Sequence, residues 1–467
     1  MFLIKNNMTA KEKEQKYLSE INFQNLEIWS VNYLRGINLL YNNKFNLVKI
    51  KDLIFQNKKA IEIKDEKEYS RVTIKMHGKG VVLRDKELGK NIGTKKQFQI
   101  SKGDFIMSKI DARNGAFGIV PDFLDGAIIT NSFLSFKINK EKINIEFLVL
   151  LVSTNNFIKF IQSCSRGTTG RKNVDMELFL NSLIPLPPLS EQNKIVENYN
   201  QKIKEAEEAE KKAEKLEQDI ENYLIEKLGI EKVEDKKEKS SLQFVEFKTV
   251  YEWGVDKILG ELDFSSTKYD TASFAKNENL FVDIFRGKSP KYKAGTKKVI
   301  LNQKCNRWNE IQLEYAKTVE EEWFEKIDKN FFTKENDILI NSTGEGTIGR
   351  ASNIYKQYCN LLYDSHLLLL RLNHSLVNSE YFVYLFNSSY GQQQVDKIKS
   401  AQATKQTELG VNNLKKIVFP LPPLNIQEKI ANEITKRKEK IKQLKIEAQK
   451  NRDEAIKEFE REIFDEA

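Results

Sequence analysis

The sequence predicts an α+β chain in which two similar globular domains are separated by an antiparallel two-helix coiled coil, in a pseudo-two-fold arrangement. Three observations predict it. PLPPLSEQNKI, from Pro185 to Ile195, returns as PLPPLNIQEKI, from Pro420 to Ile430, 235 residues later. A shared string of that length marks a duplication, and its period is domain-sized, unlike the roughly 20–50 residues of solenoid repeats. Each copy opens a long Glu-, Lys- and Ala-rich run with apolar residues at helical steps. Ahead of each copy, short β-branched and aromatic stretches mix with two or three helical segments, which suits α+β domains rather than alternating βαβ units.

In chain order, residues 1–22 read as an N-terminal extension, 23–188 as the first domain and 189–228 as a central helix. Residues 229–246 read as a charged linker, 247–423 as the second domain and 424–467 as a C-terminal helix. Both domains open alike: Phe23, Leu26, Trp29, Val31 and Gly36 align with Phe247, Val250, Trp253, Val255 and Gly260, and the paired tryptophans suit a core role. Both middles carry a polar step, a short strand and a glycine turn, KGDFIMSKIDARNGAFGIV (Lys102–Val120) and KENDILINSTGEGTIGRA (Lys334–Ala351). Strand-like AIITNSFLSFKI (Ala127–Ile138) and CNLLYDSHLLLLRL (Cys359–Leu372) follow, then helix-like segments from Glu146 and Glu380, a polar loop, and the prolines.

Pro187 and Pro188 can continue neither a ladder nor a helix, so the chain must turn there. Ser190 and Asn425 are the expected N-caps of the long helices, Asn425 with capping-box spacing to Glu428. The first helix places Val196, Tyr199, Ile203, Ala206, Ala209, Ala213, Leu216, Ile220 and Leu224 on one stripe. The second places Ile430, Ile434, Ile441, Leu444, Ala448, Ala455, Phe459 and Ile463 there. Such narrow stripes read as coiled-coil seams, and neither helix buries its stripe alone. Gly229 is the expected stop of the first.

Composition narrows the function. Cys164, Cys305 and Cys359 are scattered and odd in number, so neither a disulfide framework nor a Cys-x-x-Cys metal site is indicated. The apolar start of MFLIKNNMTA is too short for a signal peptide and the LLLL run near His366 too short for a bilayer, so a cytoplasmic protein with no membrane partner is expected. The two helical segments are not basic: 11 Lys/Arg oppose 15 Asp/Glu over 189–240, and 11 oppose 11 over 424–467. That leaves 54 basic and 41 acidic residues elsewhere, an excess of +13 in the globular parts. A polyanion is the partner such a balance fits.

No enzyme motif stands out. Gly344, Gly346 and Gly349 formally match the dinucleotide fingerprint, but RASNIYKQY after them has no apolar helical stripe, and a tight turn between strands is expected. There is no phosphate-binding G-x-x-x-x-G-K-[ST] loop, and His77, His366 and His374 are isolated from one another and from the cysteines. No catalytic, metal or cofactor-binding residue is assigned.

Reading duplex sequence needs cationic, amide and hydroxyl side chains on ordered loops. The first domain offers Arg71, Lys75, Lys79 and Arg84 around MHGKGVVLRD; Lys109, Arg113 and Asn114 in the glycine turn; and Arg166, Thr168, Thr169, Arg171 and Lys172 before the prolines. The second offers Lys288, Ser289, Lys291 and Tyr292 after a glycine, and Asn302, Gln303, Lys304 and Arg307 beside Trp308. It adds Asn341, Ser342 and Thr343 at the glycine turn, and Lys399, Gln402, Thr404, Lys405 and Gln406 before the prolines. Most would contact phosphate, which positions without specifying.

Two variable basic domains, each closed by a proline motif and a long helix, resemble the specificity subunit of type I restriction–modification enzymes. The resemblance covers nearly the whole chain from about Phe23 and is carried by PLPPLSEQ, PLPPLNIQ, SKIDARNGAFGIV and FVDIFRGKSPKY (Phe281–Tyr292). It implies two target recognition domains, each reading one half of a split, asymmetric double-stranded DNA sequence. It implies helices that fix the gap and dock two methyltransferase subunits, with restriction or translocase subunits as further partners. It implies a non-catalytic chain, with S-adenosylmethionine, ATP and Mg held by those partners. The competing expectation is a coiled-coil scaffold whose globular ends bind proteins.

Overall fold

The computed structural model describes residues 41–464, leaving aside 77, 164, 167–172, 232–263, 265, 345 and 401–407. The aligned domain openings with Trp29 and Trp253, most of the charged linker, His77 and Cys164 lie outside the described residues. Contacts divide the chain into two units, 1–208 with 447–467, and 209–446. Each therefore takes one globular domain and part of both long helices.

The fold is α+β, and its scaffold is duplicated. In unit 1 a four-stranded antiparallel sheet runs Ile54–Asn57, Phe133–Ile138, Phe105–Ser108, Phe117–Ile119. In unit 2 the same order is Phe281–Arg286, Leu367–Leu372, Ile338–Asn341, Ala351–Asn353. Within the inner strands the stretches Phe105–Met107, Ile338–Ile340 and Leu367–Leu370 are apolar without alternation because both faces are covered. Phe105 and Met107 enter the core beneath the helices while Ile106 enters a second core. Likewise Leu368, Leu370 and Leu372 face one core and Leu367 and Leu369 the other. The LLLL run is a doubly covered strand. A further antiparallel pair ties the chain entering each domain to the chain leaving it for the prolines: Leu47–Lys49 with Leu183–Pro185, and Thr271–Ser273 with Val418–Pro420.

The units differ between their first two scaffold strands in sequence. Unit 1 places four strands of a five-stranded sheet there, including a long hairpin of Glu68–Ile74 and Val81–Leu88, and Ile128–Ile129 completes the sheet from further along the chain. Unit 2 places there Val299–Leu301 and Lys317–Thr318 of a three-stranded sheet, completed by the later Leu362–Tyr363, and a short hairpin of Asn306–Arg307 with Glu310–Ile311. After the scaffold, each helix-like segment is two helices rather than one: Ile145–Ser153 then Asn155–Ser163, and Ser379–Asn387 then Ser389–Ser400. A single hydroxyl residue makes each break. Thr154 and Ser388 bond back to Leu151 O (2.8 Å) and Leu385 O (2.6 Å), ending one helix where the next begins.

No single helix among the described residues is long and apolar enough to cross a membrane. The bent pair Ile145–Ser153 and Asn155–Ser163 comes nearest by composition, and its apolar face is spent in the core of unit 1 through Phe147, Leu151, Phe157 and Ile161.

The long helices run Leu189–Leu228 and Leu424–Ile463. The N-caps are a correction to the sequence expectation: Ser190 and Asn425 lie inside the helices, which begin one residue earlier. The carbonyl of Pro188 accepts from the N–H of Glu191 and Gln192, and that of Pro423 from Ile426 and Gln427. The fixed φ of the proline ring suits a helix start, and the proline carbonyls accept the first intrahelical bonds. Gly229, at φ 59°, ends the first helix.

Within each unit the two helices pack antiparallel. In unit 1 Tyr199 meets Phe459 edge-on, and Lys202 pairs with Glu454 and Glu458 at 3.4 and 3.3 Å. In unit 2 Lys445 pairs with Glu217 at 2.7 Å, and Arg437 donates to Asp219 O at 3.0 Å while covering Tyr223. The buried seam is rich in small residues (Ala206, Ala448 and Ala455 in unit 1, Ala209 and Ala213 in unit 2), which allows close approach of the axes.

Candidate nucleic-acid interface

Each unit gathers loops at the edge of its scaffold sheet, around the glycine turn. In unit 1 that turn is the 3-10 segment Asp111–Asn114, closed by Gly115 at φ 75°, a left-handed conformation that favours glycine. Three other pieces are tied to it. The tip of the long hairpin arrives through Gly78 N–H to Gly115 O (3.0 Å). The helix Asn155–Ser163 arrives through Gln162 Nε2 to Arg113 O (2.9 Å). The strand Asn173–Val174 arrives through Val174 N–H to Lys109 O (2.8 Å).

This brings together Lys75 and Lys79 of the hairpin tip, both exposed, with Lys109, Arg113 and Asn114 of the turn. Lys109 Nζ lies 3.0 Å from Asn131 Oδ1. Arg166 sits in the strand Ser165–Arg166, which pairs with Asn173–Val174 at the base of the same edge. Thr168, Thr169, Arg171 and Lys172 lie outside the described residues.

Arg71 and Arg84 stand further back along the hairpin. Arg71 makes a two-pronged pair with Asp85 at 2.6 and 2.8 Å, and its guanidinium holds that carboxyl below the usual carboxylate range. Its charge is matched within the fold. Arg84 is exposed and also 3.4 Å from Asp85.

Unit 2 repeats the plan with different side chains. The described residues between Asn341 and Ala351 form a turn joining antiparallel strands, with no α-helix opening at it, so Gly344, Gly346 and Gly349 lack the strand-to-helix setting of a dinucleotide site. Ser342 N–H donates to His366 O (2.9 Å), and Leu409 N–H, just after the pre-proline segment, donates to Ser342 O (2.8 Å). The loop from Gly287 joins through Lys288 N–H to Tyr363 O (3.1 Å). Gly287 is obligatory, because a Cβ there would lie 1.9 Å from Asp364 O.

Lys288 lies over the Phe331 ring, while Ser289, Lys291 and Tyr292 are exposed with Lys317 above the tyrosine ring. Lys304 is exposed, and Arg307 is held by Gln312 Oε1 at 3.1 Å and covers Tyr315. Thr343 Oγ1 is 2.7 Å from His366 Nδ1. Burial raises the nearby Asp364 carboxyl above its ordinary range. Lys399 is in the last turn of Ser389–Ser400; Gln402, Thr404, Lys405 and Gln406 lie outside the described residues.

Three candidates need correction. Asn302, Asn341 and Ser342 are buried, and their side chains are used inside the domain. Asn302 donates to Tyr315 O (2.6 Å), Asn341 to Gln303 O (3.2 Å), and Ser342 to Leu409 O (3.1 Å). Polar residue type alone did not separate loop scaffold from loop surface. Sequence reasoning also passed over Arg350, whose guanidinium faces the Trp308 ring at 5.8 Å. A signal existed: Arg350 follows the glycine turn where unit 1 has buried Ala116, as the matching bonds Asn341 N–H to Arg350 O and Ser108 N–H to Ala116 O show.

Among the described residues no group of His, Cys, Asp and Glu is placed to hold a metal ion.

The family model described as type I restriction modification DNA specificity domain matches the chain twice, over residues 42–218 and 273–452. Among solved structures, a chain from "Structural basis underlying complex assembly and conformational transition of the type I R-M system" is 17% identical with a TM-score of 0.54, covering 90% of this chain and 97% of that one. At that identity the likeness shows the fold. The HsdS subunit from Thermoanaerobacter tengcongensis is 18% identical with a TM-score of 0.43, covering 90% of this chain and 95% of that one. The type I restriction–modification S subunit from M. genitalium is 13% identical with a TM-score of 0.46, covering 91% and 98%. No curated protein matches this chain by sequence.

Proposed function

This chain belongs to the type I restriction–modification DNA specificity family, and on that premise we propose how it reads its target: each unit reads one half of a split, asymmetric duplex sequence, and the paired helices set the spacer. The observation that carries this reading is the duplication of one scaffold under two unlike loop edges. Identical strand order with different side chains at the glycine turn is what two half-sites of different sequence require. The basic excess of +13 outside the long helices supports a polyanionic ligand.

The family's role is recognition, and methyl transfer and cleavage fall to partner subunits. Two methyltransferase subunits dock on the helices, restriction or translocase subunits join the complex, and S-adenosylmethionine, ATP and Mg are bound by these partners. A cytoplasmic site of action follows from that reading. Helices of 40 residues extend about 60 Å at 1.5 Å per residue, enough to bridge half-sites roughly 34 Å apart.

Two measurements test this. Binding of the chain with its methyltransferase subunits to duplex DNA should weaken steeply with salt, log K falling by about 0.9 per phosphate neutralised per log unit. A flat curve would instead favour a coiled-coil scaffold binding proteins. Deleting seven residues from each long helix, in facing positions, should shorten the non-specific gap in the methylated sequence by about 10 Å of duplex, roughly three base pairs, and leave both halves legible. An unchanged gap removes the helices from the role of ruler.

A further inference from the structure

We infer that unit 2 reads guanine, with Arg307 and Arg350 presented beside the Trp308 indole as the base-contacting side chains. This deepens the reading of the chain as a DNA specificity subunit and rests on it.

The three residues form one pre-organised patch. Trp308, 44% exposed, stands at the tip of the hairpin of Asn306–Arg307 and Glu310–Ile311. That tip is clamped on both sides: Asn309, at φ 61°, donates its N–H to Ala351 O (3.0 Å) and accepts from Asn387 Nδ2 (3.0 Å). Its base is held by buried Asn306, which donates to Leu339 O, Asn341 Oδ1 and Arg350 O at 2.9–3.1 Å. A hairpin fixed this firmly displays its side chains without further ordering, as a reading element must.

The guanidinium groups are oriented but not neutralised. Arg286 and Arg371 of the same domain are paired with Glu408 and Asp337. Among the described residues, Arg307 and Arg350 have no carboxylate partner. Arg307 is steered by Gln312 Oε1 through Nε and lies over Tyr315, which leaves both Nη groups available. Arg350 donates through Nη2 to Gly346 O (3.0 Å), and its Nε is buried with no acceptor. Burial first, and then the charge of Arg307, lower the Arg350 guanidinium from its ordinary range. Gln303 Oε1, also buried without a partner, adds an orphan acceptor beside the Gly344 turn. Planar forks held against aromatic rings suit the O6 and N7 acceptors of guanine, the commonest specific arginine contact. Unit 1 has Ala116 at the position of Arg350, so the effect should be confined to one half-site.

The test uses the full chain with its methyltransferase subunits, after methylome sequencing has established the target. Guanines are replaced one at a time by 7-deazaguanine, which lacks N7. For the unaltered protein, one or two replacements within a single half should weaken binding about 10- to 100-fold. Arg307→Gln and Arg350→Gln should lose a similar factor on the natural duplex and no longer respond to the replaced base. Arg307→Lys and Arg350→Lys keep the charge but lose the fork, and should also stop responding. Where a glutamine variant fails to fold, the lysine variant carries the residue test, and base replacements without effect in either half on the unaltered protein overturn the inference by themselves. The inference is overturned by a half-site without guanine, by variants that keep full sensitivity, or by an equal loss on every sequence with a salt slope shallower by about one, the signature of a phosphate contact. No sequence preference in the unaltered protein would instead sink the wider reading, and this inference with it.

Discussion

Arg371→Met should destabilise unit 2 by about 3–5 kcal/mol, the cost of leaving a buried charge uncompensated. Arg371 lies on the inner strand Leu367–Leu372 and grips Asp337 through Nε and Nη2 at 2.8 and 2.7 Å. It also donates to Phe332 O (3.2 Å) and Asn330 O (3.3 Å), and its face covers Phe285. The Asp337 side chain is almost wholly buried and also accepts the N–H of Lys334. This hydrogen-bonded carboxylate raises the Arg371 guanidinium above its ordinary range. Removing the arginine strands the carboxylate against the apolar strands. Urea unfolding should show the lower midpoint, and Arg371→Met combined with Asp337→Leu should recover much of the loss. A single variant costing less than about 1 kcal/mol would mean that water reaches the pair. Unit 1 solves the same position without an ion pair: Asp104 accepts from Ser101 N–H (3.0 Å), Asn57 Nδ2 (2.8 Å) and Ser135 Oγ (2.8 Å).

Gln427→Leu should cost about 3 kcal/mol, and Gln192→Leu a similar amount in its own unit. These glutamines are the same residue in the two proline motifs, and both are fully buried. Gln192 accepts from Asn144 N–H (2.7 Å) and donates to Lys142 O (3.0 Å) and Pro187 O (2.8 Å). Gln427 repeats this with Asn378 N–H (2.8 Å), Leu376 O (2.9 Å) and Pro422 O (2.8 Å). Asn144 and Asn378 in turn cap the first helix after each scaffold sheet. Each glutamine thus pins the start of a long helix to the start of a domain helix. Leucine fills the space but leaves an amide N–H and two carbonyls without partners. Glutamate would keep the acceptor and lose the two donations, so Gln427→Glu should be no milder. Thermal unfolding of each variant, compared with the double variant, should show near-additive losses, since the two sites lie in separate units. A Gln427→Leu protein as stable as the original would show that the pin is dispensable.

Much of the architecture is determined by local sequence. The apolar stripes and the rigid prolines specify the long helices, and Gly229 supplies a left-handed stop. The uninterrupted apolar runs at Phe105–Met107 and Leu367–Leu370 mark strands covered on both faces. The repeat of these signals at one spacing is sufficient to identify a duplicated α+β chain, because helical period, turn chemistry and β-branching act over a few residues. Local signals misled where two residues could do one job. The hydroxyl and amide of Ser190 and Asn425 looked like caps, but Pro188 and Pro423, locked at a helical φ, start the helices first.

Only the tertiary structure decided which polar residues belong to the surface and which to the framework. Asn302, Asn341 and Ser342 have the composition of a contact surface, yet packing buries them and satisfies them from distant segments. Arg350 and Trp308 become neighbours only because the hairpin of Arg307 folds across the edge strand Ala351–Asn353. The physical reason is one of range. Helices and turns are selected by neighbours in sequence, whereas burial and hydrogen-bond satisfaction depend on groups brought together from dozens of residues away.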